Sequence, residues 1–188
     1  MIEKWKLTKT GFLGDYKIFS LHTLHRVSPR TGVEHEFTLL KCPDWVNVIA
    51  LTEDNKIILV EQYRQGSDSI ELEIPGGMID HDDGDPILAG LRELHEETGY
   101  EGDEARIIGR VLPNPAFMCN TCYTVLVLNC KKLHSTNFDL TEEIETHLYP
   151  VDDIPGLIAG GKIRHSLVVA AFYYFNLWLQ LQSEMKKV

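Results

Sequence analysis

One stretch, residues 73–100, constrains the fold and the chemistry of this chain more than any other. It begins with a short strand pattern that breaks at Pro75, Gly76 and Gly77. After an acidic loop, a helical pattern starts with a proline in its first turn and stops at a glycine, the usual order of these residues at helix ends. The sequence therefore predicts a strand, a break and a helix over residues 86–99.

The predicted helix has two distinct faces when its residues are placed at about 100° intervals. Glu93, Glu96 and Glu97 share one face through i, i+3 and i+4 spacing. Three carboxylates on a rigid helix are hard oxygen ligands of the kind that Mg²⁺ or Mn²⁺ prefers, with substrate phosphates completing the shell. Taken alone, the triplet also fits a solvated acidic face. The neighbouring face, expected to pack against a core, carries Ile87, Leu91, Leu94 and Thr98.

The distribution of charge argues against a general nucleic-acid binder. The formal net charge is −10, and residues 65–105 hold 13 aspartates and glutamates against a single base, Arg92. Such a field repels phosphate backbones unless a cation lies within it. A metal–phosphate site would use the same charge to attract cations.

The order of the predicted elements indicates an α/β fold class. Short β elements are expected within residues 1–42, with strands at 16–27 and 33–40 around a Pro-Gly turn. A strand-rich middle with helices along it predicts a mixed sheet covered by helices. The further predicted elements are strands at 45–52, 56–64, 105–112, 121–130 and 142–149, a short helix at 152–159 and a long helix from Ser166.

Two segments are expected from these patterns. A small N-terminal antiparallel β-sheet occupies residues 1–42, and a main domain occupies residues 43–188. Neither a signal peptide nor a membrane-spanning segment is visible, because no apolar run reaches the roughly 20 residues that a span requires. We therefore expect a cytoplasmic protein without a membrane or nucleic-acid partner.

The helix also resembles the signature of a known family. Residues 92–100, Arg-Glu-Leu-His-Glu-Glu-Thr-Gly-Tyr, resemble the second half of the Nudix box of nucleoside diphosphate hydrolases. The first half is less regular. Counted from Gly77, Asp83 occupies the place of a family glutamate, and one extra residue separates it from Arg92. The role of this upstream acid stays open.

The resemblance implies a fold, a cofactor and a set of ligands. Nudix proteins have an α/β/α sandwich, which agrees with the predicted order of elements. The family pattern implies Mg²⁺ (or Mn²⁺) held by Glu93, Glu96, Glu97 and the carbonyl oxygen of Gly76, with Arg92 as an orienting partner. The N-terminal sheet is similar to the extra β-domain of the ADP-ribose pyrophosphatase branch, which implies a homodimer.

The resemblance also implies a phosphate-binding residue where one strand ends in Tyr63 and Arg64. In that branch, a strand ending Gln-Tyr-Arg places its arginine on the substrate phosphates, and a planar guanidinium suits this task. Glu73 is expected to hold Arg64 or a substrate group. The alternatives are a surface salt bridge for Arg64 and an ordinary strand-edge acid for Glu73.

The general base has three candidates. The resemblance aligns Glu142, just before a predicted strand, with the catalytic glutamate of ADP-ribose pyrophosphatases. Glu143 is the second candidate and Glu97, within the box, is the third. A solvated run of charges is the plainer interpretation of the acids around residue 143.

The loop after the box bears on the substrate. Pro115 lies 15 residues after Tyr100, and a proline near that offset is a family rule of thumb for ADP-ribose hydrolysis. Phe117 either stacks on a substrate base or packs. The sequence therefore predicts Mg²⁺-dependent hydrolysis of ADP-ribose or another nucleoside diphosphate sugar. The alternatives are a catalytically silent Nudix module that senses a nucleotide and a non-enzymatic interaction domain with an acidic patch.

Overall fold

The structure, a computed structural model, describes residues 1–138 and 143–185. The chain divides into two compact units. The first comprises Met1–Asp44 and Leu112–Thr121, and the second comprises Trp45–Val111 and Cys122–Val188. Residues 112–121 thus belong with the N-terminal segment although a long stretch of sequence separates the two.

The first unit is built on a three-stranded antiparallel sheet, which confirms the small sheet predicted at the N-terminus. Its strands, in spatial order, are β1 (Lys6–Asp15), β2 (Ser20–Val27) and β3 (Glu34–Lys41). The prediction of a strand from residue 16 was wrong, because residues 16–19 form the turn of the first hairpin. Lys17 has a φ of 64°, and the rings of Tyr16 and Phe19 stack with centroids 5.2 Å apart. Aromatic residues that suggested a strand therefore stabilise a turn.

The second unit contains a mixed sheet of eight strands. The strands are β4 (Trp45–Thr52), β5 (Lys56–Arg64), β6 (Ser69–Glu73), β7 (Gly76–Met78), β8 (Tyr100–Glu101), β9 (Glu104–Val111), β10 (Cys122–Lys132) and β11 (Ile144–Pro150). Their spatial order is β11-β5-β4-β10-β8, with β6 beside β5, β7 beside β4 and β9 beside β10. The β4 and β10 strands pair in parallel, and the other pairs are antiparallel. The helices are α1 (Pro86–Thr98), α2 (Ile154–Ala159) and α3 (Ser166–Met185), with 3₁₀ turns at His81–Asp83 and Val151–Asp153.

Helices cover both faces of this sheet. Side chains alternate along its strands, so both faces carry apolar residues that pack against helices. On β4, Val48 and Ala50 pack in one apolar cluster with Leu94 of α1. Ile49 lies between them in sequence but packs in a second cluster, which contains Phe172 of α3. The predicted α/β class, an α/β/α sandwich with a mixed sheet, is confirmed.

The α1 helix begins and ends where the sequence predicts. Asp85 caps its N-terminus by accepting hydrogen bonds from the backbone of Ile87 at 2.7 Å and Leu88 at 3.1 Å. Gly99 ends it in the left-handed region with a φ of 72°, and its N–H donates to the His95 carbonyl at 2.8 Å. Among the described helices, none combines the length and apolar character needed to cross a membrane.

Candidate active site

The glycine break lies directly against the acidic face of α1. Gly76 and Gly77 pair with Asn47 and Val46 of β4, which fixes the break at the edge of a buried strand. A Cβ atom on Gly77 would overlap the carboxylate of Glu93. The backbone of β7 therefore approaches this carboxylate so closely that any side chain at residue 77 would force the Glu93 carboxylate or the backbone to move.

The box glutamates differ in their exposure. Glu97 is only 3% exposed and Glu93 is 9% exposed, whereas Glu96 is half-buried. Glu97 accepts a hydrogen bond from the Gly76 N–H at 3.1 Å. Buried carboxylates are costly unless they are hydrogen-bonded or bound to cations. The structure thus brings the three predicted ligands to one edge of the helix, beside the predicted backbone ligand Gly76.

Arg92 links the helix to the preceding loop and to its own carboxylate neighbours. Its Nη1 lies 3.0 Å from an oxygen of Glu93 and 3.0 Å from an oxygen of Glu96. Its Nε and Nη2 donate to the two oxygens of Asp83 at 2.8 and 2.9 Å, and Nη2 also donates to the Met78 carbonyl at 3.1 Å. One guanidinium therefore holds three carboxylates in place.

Asp83 is a site residue whose role the sequence left open. Its side chain is only 8% exposed, and the hydrogen bonds from Arg92 lower its pKa. The same contact raises the pKa of Arg92. The extra residue in the loop is accommodated by the 3₁₀ turn His81–Asp83 and by Gly84, whose φ of 81° favours glycine. A bidentate arginine–carboxylate pair thus forms despite the irregular spacing.

Arg64 and Glu73 form a bidentate ion pair between the ends of β5 and β6. Arg64 Nε and Nη2 lie 3.0 and 2.8 Å from the two oxygens of Glu73, and His165 Nδ1 lies 3.1 Å from Oε2. Glu73 is 2% exposed. Burial raises its pKa, but the hydrogen bonds from His165 and Arg64 outweigh burial and lower the pKa to about 2. The structure therefore holds Arg64 with its guanidinium oriented by a buried anion.

A second buried acid, Glu71, pairs with an arginine that sequence reasoning missed. Arg164 Nε lies 2.8 Å from Glu71 Oε2, and Arg164 Nη2 donates to Ser69 at 2.9 Å. The hydrogen bonds from Arg164, assisted by Ser69, lower the pKa of Glu71 to about 2. These contacts connect the residues just before α3 to β6, and no local pattern in the sequence reveals a pair so far apart along the chain.

Other predicted site residues lie elsewhere. Tyr63 adjoins Arg64, but the alternation of a strand directs their side chains to opposite faces, and the Tyr63 hydroxyl donates to Asp68 at 2.6 Å. Phe117 lies in the first unit, where its carbonyl accepts a hydrogen bond from Leu40 at 2.8 Å. Glu143 is exposed. Glu142 lies outside the described residues, so its role as the base stays a prediction.

The donor set beside β7 fits a hard divalent ion. Glu93, Glu96 and Glu97 supply carboxylate oxygens, and Gly76 supplies a backbone carbonyl, which are the ligand types that Mg²⁺ and Mn²⁺ prefer. Arg92 is the only lysine or arginine among residues 65–105, so the local charge strongly favours cations.

Comparison with known proteins identifies the family. The NUDIX domain model matches residues 43–172, which is well over half of the chain. This chain therefore belongs to the NUDIX domain family, and the resemblance found in its sequence is confirmed.

Two named relatives and one solved structure are similar to this chain over most of its length. It is 32% identical over 149 residues to a methanol dehydrogenase activator of Bacillus methanolicus, covering 79% of this chain and 78% of that protein. It is 28% identical over 147 residues to an ADP-ribose pyrophosphatase of Bacillus subtilis (strain 168), covering 78% and 79%. A crystal structure of an ADP compounds hydrolase matches with a TM-score of 0.85 over 97% of both chains at 19% identity, which shows the shared fold. The chain is a Nudix hydrolase related to ADP-ribose pyrophosphatases.

The buried ion pair of Glu73 predicts a specific dependence of stability on pH. Its folded pKa of about 2 lies below the ordinary value of 4.5, so its contribution is fully present above pH 4.5 and is lost as pH falls through 2. A shift of this size corresponds to about 3 kcal/mol of unfolding free energy. Urea unfolding across this pH range measures the loss.

Two variants isolate this contribution. In Glu73→Gln, we expect the free energy of unfolding to fall less steeply with acid, because residue 73 no longer titrates. The exposed Glu104→Gln variant should keep the slope of the original protein. Equal slopes for Glu73→Gln and the original protein would contradict the prediction.

Proposed function

We propose that this chain hydrolyses the diphosphate of ADP-ribose or another nucleoside diphosphate sugar, in a reaction that needs Mg²⁺ and yields a nucleoside monophosphate and a sugar phosphate. The observation that carries the proposal is the acidic edge of α1. There Glu93, Glu96 and Glu97 lie beside the glycine break and are held in part by Arg92 and by the Gly76 N–H. The Bacillus subtilis relative is named an ADP-ribose pyrophosphatase, which supports this substrate class.

Different residues of the site have different roles in diphosphate cleavage. Mg²⁺ bound by Glu93, Glu96, Glu97 and the Gly76 carbonyl supplies neutralisation of phosphate charge and activation of a water molecule. Arg64, oriented by Glu73, binds a substrate phosphate, a task that a planar guanidinium suits.

Attack of water on phosphorus breaks one bridging P–O bond, and the proton of the water goes to a carboxylate base. The candidates for this base are Glu142, Glu143 and Glu97, in that order. The substrate-binding roles of Tyr63 and of Phe117 stay predictions.

A catalytically silent sensor is the second candidate for this fold. Its support was the irregular spacing between Gly77 and Arg92. The pair between Asp83 and Arg92 removes much of that support, because the loop delivers its acid to the arginine despite the extra residue. We therefore favour an active hydrolase.

Three further proposals concern organisation. The boundary near residue 42 separates a substrate and dimerisation sheet from the Nudix domain at residues 43–188. The protein is a homodimer whose contact surface includes the N-terminal sheet. It acts in the cytoplasm, without a nucleic-acid or membrane partner.

An assay with a panel of nucleotides tests the proposal. The protein is incubated with Mg²⁺ and ADP-ribose, ADP-glucose or GDP-mannose, and the phosphomonoesters formed are converted to phosphate by a coupled phosphatase. We expect turnover of at least one nucleoside diphosphate sugar, and its loss when EDTA is added. Binding of these nucleotides without phosphate release would instead favour the sensor.

A further inference from the structure

A second cluster of metal-ligating side chains includes His95, which lies between Glu93 and Glu96 in sequence but, at about 100° per residue, on a different face of α1 from the box glutamates. It consists of His95 in the last turn of α1, Glu101 on β8 and His134 just after β10. One ligand atom from each residue lies within 4.8 Å of the other two. His95 Nδ1 and His134 Nε2 approach the same oxygen of Glu101, at 3.1 and 3.0 Å.

The backbone around this cluster is fixed by hydrogen bonds. The N–H groups of Leu133 and His134 donate to the Gly99 carbonyl at 3.0 and 3.1 Å, and the Asn137 N–H donates to the Glu96 carbonyl at 2.8 Å. Glu101 pairs in register with Lys131 of β10. Three separate elements therefore present their side chains to one point without needing to rearrange.

The geometry points to a tetrahedral divalent ion. Ligand atoms about 2.0–2.2 Å from a tetrahedral zinc lie about 3.4 Å from one another. The two nitrogen–oxygen distances of 3.1 and 3.0 Å are close to that separation. The rings of His95 and His134 are also close, with centroids 4.7 Å apart.

The chemistry of the ligands selects the kind of ion. Two imidazoles and one carboxylate form the donor set of many zinc centres, whereas Mg²⁺ prefers oxygen ligands alone. The partial negative charge at the C-terminus of α1 adds a favourable field for a cation beside His95. The three side chains are 37–47% exposed, so an ion can enter from solvent and a water molecule can complete its shell.

We propose that His95, Glu101 and His134 bind one Zn²⁺ ion at the C-terminal end of the Nudix helix, separate from the magnesium site. The ion joins α1, β8 and the segment after β10. It stabilises the end of the helix that carries the box glutamates. This second site is independent of the substrate, and its test does not use activity.

Calorimetry with the full chain tests the proposal. The protein is stripped with EDTA, exchanged into buffer with saturating Mg²⁺, and titrated with Zn²⁺. We expect one Zn²⁺ per chain, and a weakening of more than about 10-fold in His95→Asn and in His134→Asn, because even outer contacts of metal ligands are worth 10–100-fold in affinity. The control His81→Asn, on a fully exposed side chain, should bind like the original protein.

A second pair of measurements identifies the ligands. Cu²⁺ bound in place of Zn²⁺ should show nitrogen hyperfine coupling from two imidazoles, and His134→Asn should lose one of them. Glu96→Gln should keep its Zn²⁺ affinity. The proposal is overturned if the original protein binds no Zn²⁺, or if both histidine variants bind it as tightly as the original. It is also overturned if binding is lost in Glu96→Gln but kept in the histidine variants, which would assign the ion to the box glutamates.

Discussion

Replacement of Glu97 by glutamine is expected to lower kcat by at least about 100-fold while the protein stays folded. Changes to residues that merely contact metal ligands cost 10–100-fold, and Glu97 is a proposed ligand itself. Glutamine keeps an oxygen that can accept the hydrogen bond from the Gly76 N–H, so the contact with β7 persists. What is lost is the negative charge that holds Mg²⁺. Glu96→Gln is expected to act in the same direction.

Steady-state kinetics with Mg²⁺ and the best substrate of the panel measure this effect. Glu104→Gln is the matched control, because Glu104 is exposed on β9 and pairs with Arg106 instead of a site residue. Circular dichroism and thermal unfolding establish that each variant is folded. If purified, folded Glu96→Gln and Glu97→Gln both turn over at the original rate, the assignment of the metal site is wrong.

The Gly77→Ala substitution is expected to lower kcat by about 100-fold, although alanine adds only one methyl group. The new Cβ would overlap the carboxylate of Glu93, so either this carboxylate or the backbone of β7 must shift. A displacement of about 1 Å in a catalytic arrangement can cost 10²-fold in rate. The effect should be accompanied by weaker Mg²⁺ binding, since Glu93 is a proposed ligand.

Gly156→Ala provides the control for this substitution. Gly156 lies in α2, where an added Cβ would meet no atom within 4 Å. Alanine also favours helices over glycine by up to about 1 kcal/mol. We therefore expect unchanged kinetics and equal or higher thermal stability for Gly156→Ala. Full activity and unchanged Mg²⁺ affinity in Gly77→Ala would show that residue 77 does not position Glu93.

The parts of the fold that the sequence predicted are those fixed by local signals. The α1 helix has a proline at its start, a glycine at its end and a regular apolar face, and each of these signals acts within a few residues. The long buried strands, such as β4 and β5, are nearly continuous apolar runs. The grouping of the three glutamates on one helical face could be predicted because it needs no tertiary information.

The parts that the sequence did not reveal depend on contacts between distant residues. Arg164 and His165 meet Glu71 and Glu73 more than ninety residues earlier in the chain, and no spacing rule predicts such a meeting. The short strands β7 and β8 carry too few residues for a periodic pattern. The turn at residues 16–19 was misread because its aromatic residues are also common in strands.

The pair between Asp83 and Arg92 shows which part of the family signature has a physical basis in this chain, the contact or the spacing. The loop between Gly77 and Arg92 contains one residue more than the usual pattern, yet the carboxylate still reaches the guanidinium with two hydrogen bonds. The contact between the acid and the arginine therefore does not depend on the usual number of residues between them. A search pattern with fixed spacing would miss chains of this kind, whereas one that allows a variable loop and either acid would include them.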